Sequence, residues 1–202
     1  MSGESSRADA CAFDAVVLAG GAGRRMGGID KAAIRLQGVR LVDRVAHAAQ
    51  RAGAAGVTIV GPESAAVGGC SRVREDPPGG GPLAAVAAAL PLVEHDWTML
   101  LSCDLQQPEA VCRALMAALR EDFETEGIVL VDQRGRHQWL AGVYSTHMLR
   151  RSLGTLGHDP AGLPVKLLFA NARLREVPVA NAIAADIDTP EDLAEAMRLN
   201  LE

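Results

Sequence analysis

Residues 15–31 read AVVLAGGAGRRMGGIDK, a short apolar run followed at once by a loop that holds five glycines. The run at 15–18 is typical of a buried strand. Glycines let backbone N–H groups approach phosphate oxygens without a Cβ in the way, and Arg24, Arg25 and Lys31 add positive charge. Because ligands of open α/β sheets bind where a strand ends and its loop begins, we expect this loop to bind phosphate groups.

The spacing within this loop separates it from two common phosphate motifs. No Gly-Lys-Ser/Thr follows, so it is not a Walker A loop, and Met26 stands where GxGxxG needs its third glycine. The alternative interpretation is a glycine-rich turn with solvated arginines. The position directly after a predicted strand favours phosphate binding.

Beyond the loop, short apolar runs alternate with longer amphipathic stretches. This alternation predicts an α/β fold, three-layered and Rossmann-like, with a mostly parallel central sheet flanked by helices. Strands are predicted at 15–18, 57–60, 97–103, 128–131 and 138–144, with a short one ending near 74–76; helices are predicted at 41–52, 83–90, 108–120 and from 190 onward.

Two local features complete this prediction. The strands at 128–131 and 138–144 are joined by the turn at 132–136 and are expected to form an antiparallel edge of the sheet. The last helix is expected to be capped by Thr189 and to bury Leu193, Ala196 and Met197.

Composition narrows the class of protein. The chain has 202 residues, of which 49% are hydrophobic and 22% charged, so one globular domain at 13–202 after a disordered tail at 1–12 is expected. A net charge of -5 argues against nucleic acid or anionic membranes as partners. Four cysteines without a CxxC pair, and no apolar run near the ~20 residues of a membrane span, favour a cytoplasmic protein.

The stretch at 18–31, LAGGAGRRMGGIDK, resembles the signature loop of the molybdenum cofactor guanylyltransferases, also known as the molybdopterin-guanine dinucleotide biosynthesis protein A family. These belong to the wider superfamily of Rossmann-like nucleotidyltransferases. The resemblance continues in order through 74–76 with 81–83, then 103–104, then 186–193. It therefore covers nearly all of the chain after residue 15 and implies the nucleotidyltransferase fold.

The resemblance implies transfer of GMP from GTP to the terminal phosphate of the molybdenum-molybdopterin cofactor, with release of pyrophosphate and use of Mg²⁺. It implies cofactor-synthesis proteins and apo-molybdoenzymes as protein partners. Lys31, Asp104 and either Arg24 or Arg25 are the implied catalytic residues. The implied nucleotide contacts are Leu18, Ala19, Gly20, Gly21, Gly23, Lys31, Asp76, Gly81 and Asp104.

Two aspartates are candidate metal ligands. Asp104 ends a predicted buried strand, where a carboxylate needs a cation or hydrogen bonds, and the family's metal aspartate falls here. The alternative for Asp104 is capping of the helix near Pro108. Asp188 is a candidate second ligand of the metal or of water, and its alternative is hydrogen bonding at the start of the last helix. Asp76 has the alternative of a turn aspartate.

The sequence gives weaker signals for the residues that contact the base and the acceptor than for those that bind phosphate. Family members often place an Asn after the second strand to contact guanine, but Gly61 stands here and offers only backbone. Arg134 and Arg136 are candidate contacts to the acceptor phosphate. Trp139 could stack on a pterin, although a lone Trp in an apolar strand is more often part of the core.

Three alternative functions share parts of this pattern. A cytidylyltransferase for the same cofactor has the same fold, but that branch typically reads Leu-Ala-Ala-Gly where this chain reads LAGG at 18–21. Sugar-phosphate or alditol-phosphate nucleotidyltransferases usually lack the Met-Gly-Gly-x-Asp-Lys arrangement. A carrier protein that binds nucleotide and cofactor without turnover would not need both Asp104 and Asp188.

Overall fold

A computed structural model describes residues 12–20, 33–121, 124–157, 159–183 and 185–199. The strands are β1 Phe13–Leu18, β2 Arg35–Leu36, β3 Val39–Arg40, β4 Gly56–Val60, β5 Ser71–Val73, β6 Trp97–Ser102, β7 Gly127–Val131, β8 His137–Ser145 and β9 Leu174–Pro178. The α-helices are α1 Leu41–Arg51, α2 Pro82–Ala89, α3 Pro108–Glu121, α4 Thr146–Leu156 and α5 Pro190–Leu199. The predicted tail at 1–12 falls almost wholly outside these residues and stays a prediction.

The central sheet has the strand order β5-β4-β1-β6-β8-β7-β9 in the described part of the chain. Strands β5, β4, β1 and β6 run parallel to one another, and β7 runs parallel to β9. Strand β8 pairs antiparallel with β6 on one side and β7 on the other. The prediction of a mostly parallel sheet flanked by helices is therefore confirmed.

The alternation of side chains in β1 explains why the sheet carries helices on both faces. Ala15 and Val17 lie in the core under α1 and α3, whereas Val16 and Leu18 lie in the core under α2 and α4. All four side chains are at most 6% exposed. A strand buried on both faces reads as a continuous apolar run, as this one does.

The position of the antiparallel pair differs from the prediction. Strands β7 and β8 do pair antiparallel, but β8 is internal and β9 forms the edge of the sheet. The sequence hid β9 because Arg175 and Glu176 interrupt its apolar pattern. The Arg175 guanidinium binds Glu121 on α3 at 2.8 Å, so its charge is accommodated at the sheet margin.

Helix α5 begins as expected. The Thr189 hydroxyl oxygen accepts a hydrogen bond from the Asp192 amide at 3.1 Å, and the Asp192 carboxylate accepts one from the Thr189 amide at 2.8 Å. This reciprocal pair satisfies two amides at the helix start. Ala196 is buried and Leu193 is partly buried, but Met197 is 39% exposed, so its predicted inward position was wrong. None of the described helices is long and apolar enough to cross a membrane.

Candidate active site

The carboxyl end of β1 is a topological switch point. The chain passes from β1 to β4 and β5 on one side, then returns to β6 on the other side of β1. Ligands of open α/β sheets bind in the crevice that such a reversal leaves. The Ala19 amide donates to the Val60 carbonyl at 2.8 Å and the Cys103 amide donates to the Leu18 carbonyl at 3.0 Å. These bonds tie the ends of three strands together at this crevice.

The glycine-rich loop starts at this crevice. Leu18 and Ala19 are buried at the end of β1, and Gly20 is exposed just beyond them. Gly21, Gly23, Arg24, Arg25 and Lys31 lie outside the described residues. Their assignment to phosphate binding and catalysis therefore stays a prediction.

Asp104 and Asp188 belong to two chain segments that the structure joins. Leu105 forms a β-bridge with Asp186, and the Ile187 amide donates to the Asp104 carbonyl at 2.9 Å. Asp104 follows β6, is 6% exposed, and accepts a hydrogen bond from the Ser102 hydroxyl. The two candidate metal ligands thus come from adjacent backbone segments next to the switch point.

The chemistry of this pair fits a magnesium ion. Mg²⁺ typically takes one or two carboxylates, with phosphate oxygens and water filling its remaining positions. Within the described residues, no group of three or more His, Cys, Asp or Glu side chains could hold a metal by itself. Thr189 supplies the side-chain cap that Asp188 was expected to compete for. The Asp104 and Asp188 carboxylates are therefore suited to a metal shared with a phosphate ligand.

The loop between β5 and α2 lies at the same edge of the sheet. Gly81 has a φ of +91° directly before α2, a left-handed conformation that suits glycine. Asp76 is exposed in this loop. Both residues thus lie at the edge of the sheet that contains the crevice, and their predicted nucleoside contacts stay predictions.

Glu75 is a candidate that sequence reasoning missed. It is 7% exposed, and its Oε1 accepts a hydrogen bond from the Gly79 amide at 3.0 Å. A Cβ added to Gly20 would lie 3.5 Å from Glu75 Oε1, so the carboxylate sits beside the start of the glycine-rich loop. The only sequence signal for Glu75 was its place within the Arg74-Glu75-Asp76 motif. In that motif the nucleoside contact was assigned to the neighbouring Asp76.

The candidate acceptor arginines lie on the turn between β7 and β8. Because β7 runs in the same direction as β6, this turn faces the same edge of the sheet as Asp104. Asp132 organises the turn: its Oδ1 accepts from the amides of Arg134 and Arg136 at 2.9 Å each, and its Oδ2 binds Arg136 Nε at 2.8 Å. The hydrogen bond from the Arg136 amide, with further help from its guanidinium, holds the pKa of Asp132 below its usual value.

Trp139 is not available for stacking on a pterin. Its ring is stacked between His137, at a centroid distance of 4.6 Å, and Phe169, at 4.8 Å. Both faces of the indole are therefore covered by protein. The interpretation of Trp139 as a packing residue is confirmed.

A sequence profile of the MobA-like NTP transferase domain matches residues 15–174. The chain belongs to this family. The match includes the glycine-rich loop and Asp104 and ends before the segment that carries Asp188. The family resemblance that the loop motif indicated is therefore confirmed.

Curated relatives of this MobA-like chain carry molybdenum cofactor names. A molybdenum cofactor guanylyltransferase of Pseudomonas syringae pv. syringae is 37% identical over 119 residues, which are 52% of this chain and 53% of the relative. A probable molybdenum cofactor guanylyltransferase of Synechococcus elongatus is 38% identical over 134 residues, 55% of this chain and 68% of the relative. The chain thus spans about half the length of the first relative and about two thirds of the second.

Solved structures show that the MobA-like chain has a nucleotidyltransferase fold. Molybdopterin-guanine dinucleotide biosynthesis protein A of Archaeoglobus fulgidus superposes with a TM-score of 0.68 at 19% identity, over 93% of this chain and 98% of that one. The 2-C-methyl-D-erythritol 4-phosphate cytidylyltransferase of Thermus thermophilus superposes with 0.68 at 18% identity, over 95% and 100%. A Mycobacterium tuberculosis protein solved in complex with manganese superposes with 0.66 at 20% identity, over 93% and 98%.

Proposed function

We propose that this MobA-like domain transfers GMP from GTP to the terminal phosphate of the molybdenum-molybdopterin cofactor and releases pyrophosphate. One observation carries the proposal: a backbone bridge joins the segments that contain Asp104 and Asp188, next to the end of β1 where the glycine-rich loop begins. The names of the relatives at 37% and 38% identity support GTP and the molybdenum cofactor as the substrates.

The reaction needs little covalent chemistry from the protein. An oxygen of the acceptor phosphate attacks the α-phosphorus of GTP, and the bond from that phosphorus to the bridging oxygen breaks as pyrophosphate leaves. The acceptor oxygen is already ionised, so no protein side chain has to act as nucleophile. The protein has to align two polyanions and neutralise the negative charge that grows on the leaving group.

Asp104 and Asp188 are the proposed ligands of the metal ion. A divalent cation supplies positive charge between the carboxylates and the triphosphate, which the two aspartates alone would repel. We propose Mg²⁺ in this role. Burial of Asp104 and its hydrogen bond from Ser102 restrict the position of one carboxylate before the ion arrives.

The glycine-rich loop is the proposed phosphate clamp. In this proposal Leu18, Ala19 and the amides of Gly20, Gly21 and Gly23 line the nucleotide, and Lys31 with Arg24 or Arg25 stabilises the transition state. Leu18, at the end of β1 where this loop begins, pairs with Ser102, two residues before Asp104. Asp76 and Gly81 complete the proposed nucleoside contacts from the loop before α2.

The acceptor is proposed to approach from the β7–β8 turn. Strand β7 lies two places from β6, so this turn is roughly 10 Å from the end of β6 along the sheet. Arg134 is exposed there, and its backbone is held by Asp132. This turn thus supplies a guanidinium group at the same edge of the sheet as Asp104. The guanidinium does not compete with the metal ion for the carboxylates of Asp104 and Asp188. We place the activity in the cytoplasm, with cofactor-synthesis proteins and apo-molybdoenzymes as its protein partners.

A nucleotide panel tests the proposed reaction. The purified protein is incubated with Mg²⁺, the molybdenum-molybdopterin cofactor and GTP, CTP, ATP or UTP in turn, and released pyrophosphate is measured. We expect pyrophosphate release with GTP and none with CTP, ATP or UTP. A preference for CTP would assign the chain to the cytidylyltransferase branch. Tight nucleotide binding without release would indicate a carrier, and turnover with a sugar phosphate in place of the cofactor would indicate a different acceptor.

A further inference from the structure

Glu75 has a buried carboxylate that the proposed catalytic steps do not use. The side chain is 7% exposed, and its Oε1 takes the Gly79 amide at 3.0 Å. Its Oε2 accepts no hydrogen bond from the described residues, although that atom is shielded from solvent. A buried carboxylate oxygen without a donor is costly, so its retention points to a donor that a ligand supplies.

The position of Glu75 links it to the nucleotide. Glu75 follows β5 by two residues, and its Oε1 lies 3.5 Å from the point where a Gly20 side chain would begin. The Glu75 carboxylate therefore lies beside Gly20, the residue with which the glycine-rich loop starts. Glu75 and Gly20 thus lie at one edge of the sheet.

Gly61 is poorly placed to compensate for the missing base contact. Its amide donates to the Val73 carbonyl at 3.0 Å, and its own carbonyl accepts from Arg72 at 3.3 Å. Both backbone groups thus already have protein partners. A base that binds near the end of β4 needs another residue to read its edge.

Glu75 approaches the end of β1 from the side of β4 and β5, whereas Asp104 follows β6 on the opposite side of β1. The base and the phosphates occupy opposite ends of a nucleoside triphosphate. A nucleotide whose phosphates lie near Asp104 and the glycine-rich loop therefore extends its base toward β4 and β5.

We infer that Glu75 reads the guanine base of the nucleotide and sets the preference for GTP, an inference that rests on the proposed function. Guanine carries two donors side by side on its Watson–Crick edge, the N1–H and the N2 amino group. An ionised carboxylate offers acceptors only. Oε2, which lacks a donor, and the second lone pair of Oε1 match this paired edge.

The other bases match a carboxylate less well. Adenine and cytosine each place an unprotonated ring nitrogen beside their amino group, and uracil flanks its single N–H with two carbonyl oxygens. Each of these edges sets an acceptor against an acceptor. An unpaired or repelled polar group in a buried site lowers affinity, so Glu75 selects against the other three nucleotides.

Binding measurements on Glu75→Gln test this inference. The glutamine keeps the volume and one acceptor for the Gly79 amide, but it turns an N–H donor toward guanine. We expect the Kd for GTP to rise about 10- to 100-fold. ITP lacks the N2 amino group, so its Kd rises less and the preference for GTP over ITP falls toward one. Glu195→Gln, at an exposed position on α5, is the matched control and keeps the wild-type ratio.

A merely structural role for Glu75 has a different signature. If the residue only supports the loop through Gly79, Glu75→Gln changes the Kd for GTP and the Kd for ITP by the same factor or leaves both unchanged, and the inference is overturned. The wild-type protein gives a second measurement that does not depend on the variant folding. N1-methyl-GTP lacks the N1–H, so we expect it to bind at least about 10-fold more weakly than GTP, and equal binding would also overturn the inference.

The Kd values of the wild-type protein for GTP and CTP, compared with those of Glu75→Gln for GTP and ITP, separate this inference from the proposed function. If the wild-type protein binds CTP more tightly than GTP, the proposed guanylyl transfer fails and the guanine assignment of Glu75 fails with it. If the wild-type protein prefers GTP but Glu75→Gln leaves the GTP-to-ITP ratio unchanged, only the role of Glu75 is wrong.

Discussion

The backbone amide of Ile187 donates a 2.9 Å hydrogen bond to the carbonyl oxygen of Asp104. Together with the bridge between Leu105 and Asp186, this bond joins the end of the central strand β6 to the segment that precedes the last helix. Asp188 directly follows that contact. The C-terminal segment is therefore built into the candidate metal site rather than added to its outside.

Asp104→Asn is expected to reduce turnover roughly 10²- to 10³-fold, by analogy with the loss of other groups that stabilise transition-state charge. The amide keeps the volume and an acceptor for Ser102 but removes the charge that attracts the cation. The rate should also need more Mg²⁺ to reach half of its maximum. Titration of pyrophosphate release against Mg²⁺ checks both effects, with Asp96→Asn, exposed at the opposite end of β6, as the control. Wild-type rates at low Mg²⁺ would remove Asp104 from the metal site.

Lys31→Ala is expected to lower turnover roughly 10²- to 10³-fold, because the Lys31 ammonium is proposed to stabilise the negative charge that grows on the triphosphate in the transition state. Lys31→Arg keeps the charge and should recover part of the loss. Steady-state rates at saturating GTP measure the effect. Near-normal turnover of the alanine variant would show that the loop assignment is wrong.

Local patterns predicted most of the regular structure. The helix expected at 41–52 is observed at Leu41–Arg51, and the strand expected at 57–60 is observed at Gly56–Val60. In both, the apolar period matches the element and Gly53 and Gly56 mark the boundary. Strand β9 was not predicted because its sequence lacks a continuous apolar pattern. An edge strand needs little apolar surface and tolerates charged side chains.

Contacts between segments that are distant in the chain could not be predicted from the sequence. The motif containing Glu75 was recognised, but burial of that carboxylate beside Gly20 depends on β1 and β5 ending at the same edge of the sheet. The stacking of Trp139 on Phe169 likewise joins a strand to a short helical turn at Val165–Phe169. Neither partner is identified by local periodicity, which reports only which face of an element is apolar.

Arg134→Ala is expected to raise the KM for the cofactor acceptor about tenfold, the loss of one exposed charge-assisted contact, while the KM for GTP stays unchanged. Its guanidinium is proposed to meet the acceptor phosphate, far from the guanine end of the site. Initial rates with each substrate varied in turn give the two constants. Arg120→Ala, exposed on α3, serves as the control. A rise in the KM for GTP alone would contradict the acceptor role.

Asp14→Asn is expected to destabilise the protein at neutral pH by about 1–2 kcal/mol. Burial by itself raises the pKa of Asp14, but hydrogen bonds from the amides of Glu94 and His95, at 2.7 and 3.0 Å, and the nearby His95 ring outweigh burial and hold the pKa below its usual value. A lowered pKa contributes stability above the unfolded value of about 3.9, and this is lost as pH falls through the folded value.

Urea unfolding of wild type and Asp14→Asn at neutral pH and at about pH 3 measures this dependence. The difference in free energy of unfolding between the two proteins should shrink at the lower pH, because below the unfolded pKa of about 3.9 the unfolded chain binds a proton that the folded carboxyl binds less readily. A difference that does not change with pH would show that the charge of Asp14 contributes nothing.

Gly61→Ala is expected to destabilise the protein by about 1–3 kcal/mol through overpacking. A Cβ at this position would lie 3.0 Å from the Ala19 carbonyl oxygen and 3.2 Å from its carbon, both backbone atoms of a residue whose amide is bound to the Val60 carbonyl at 2.8 Å. Relief of the contact must displace the end of β1, where the glycine-rich loop begins, so the Kd for GTP should rise together with the loss of stability. Gly68→Ala, whose Cβ would meet nothing within 4 Å, is the control for the added methyl group. Thermal unfolding and GTP titration of both variants check the two effects, and a Gly61→Ala protein as stable as Gly68→Ala would show that the end of β1 moves without strain.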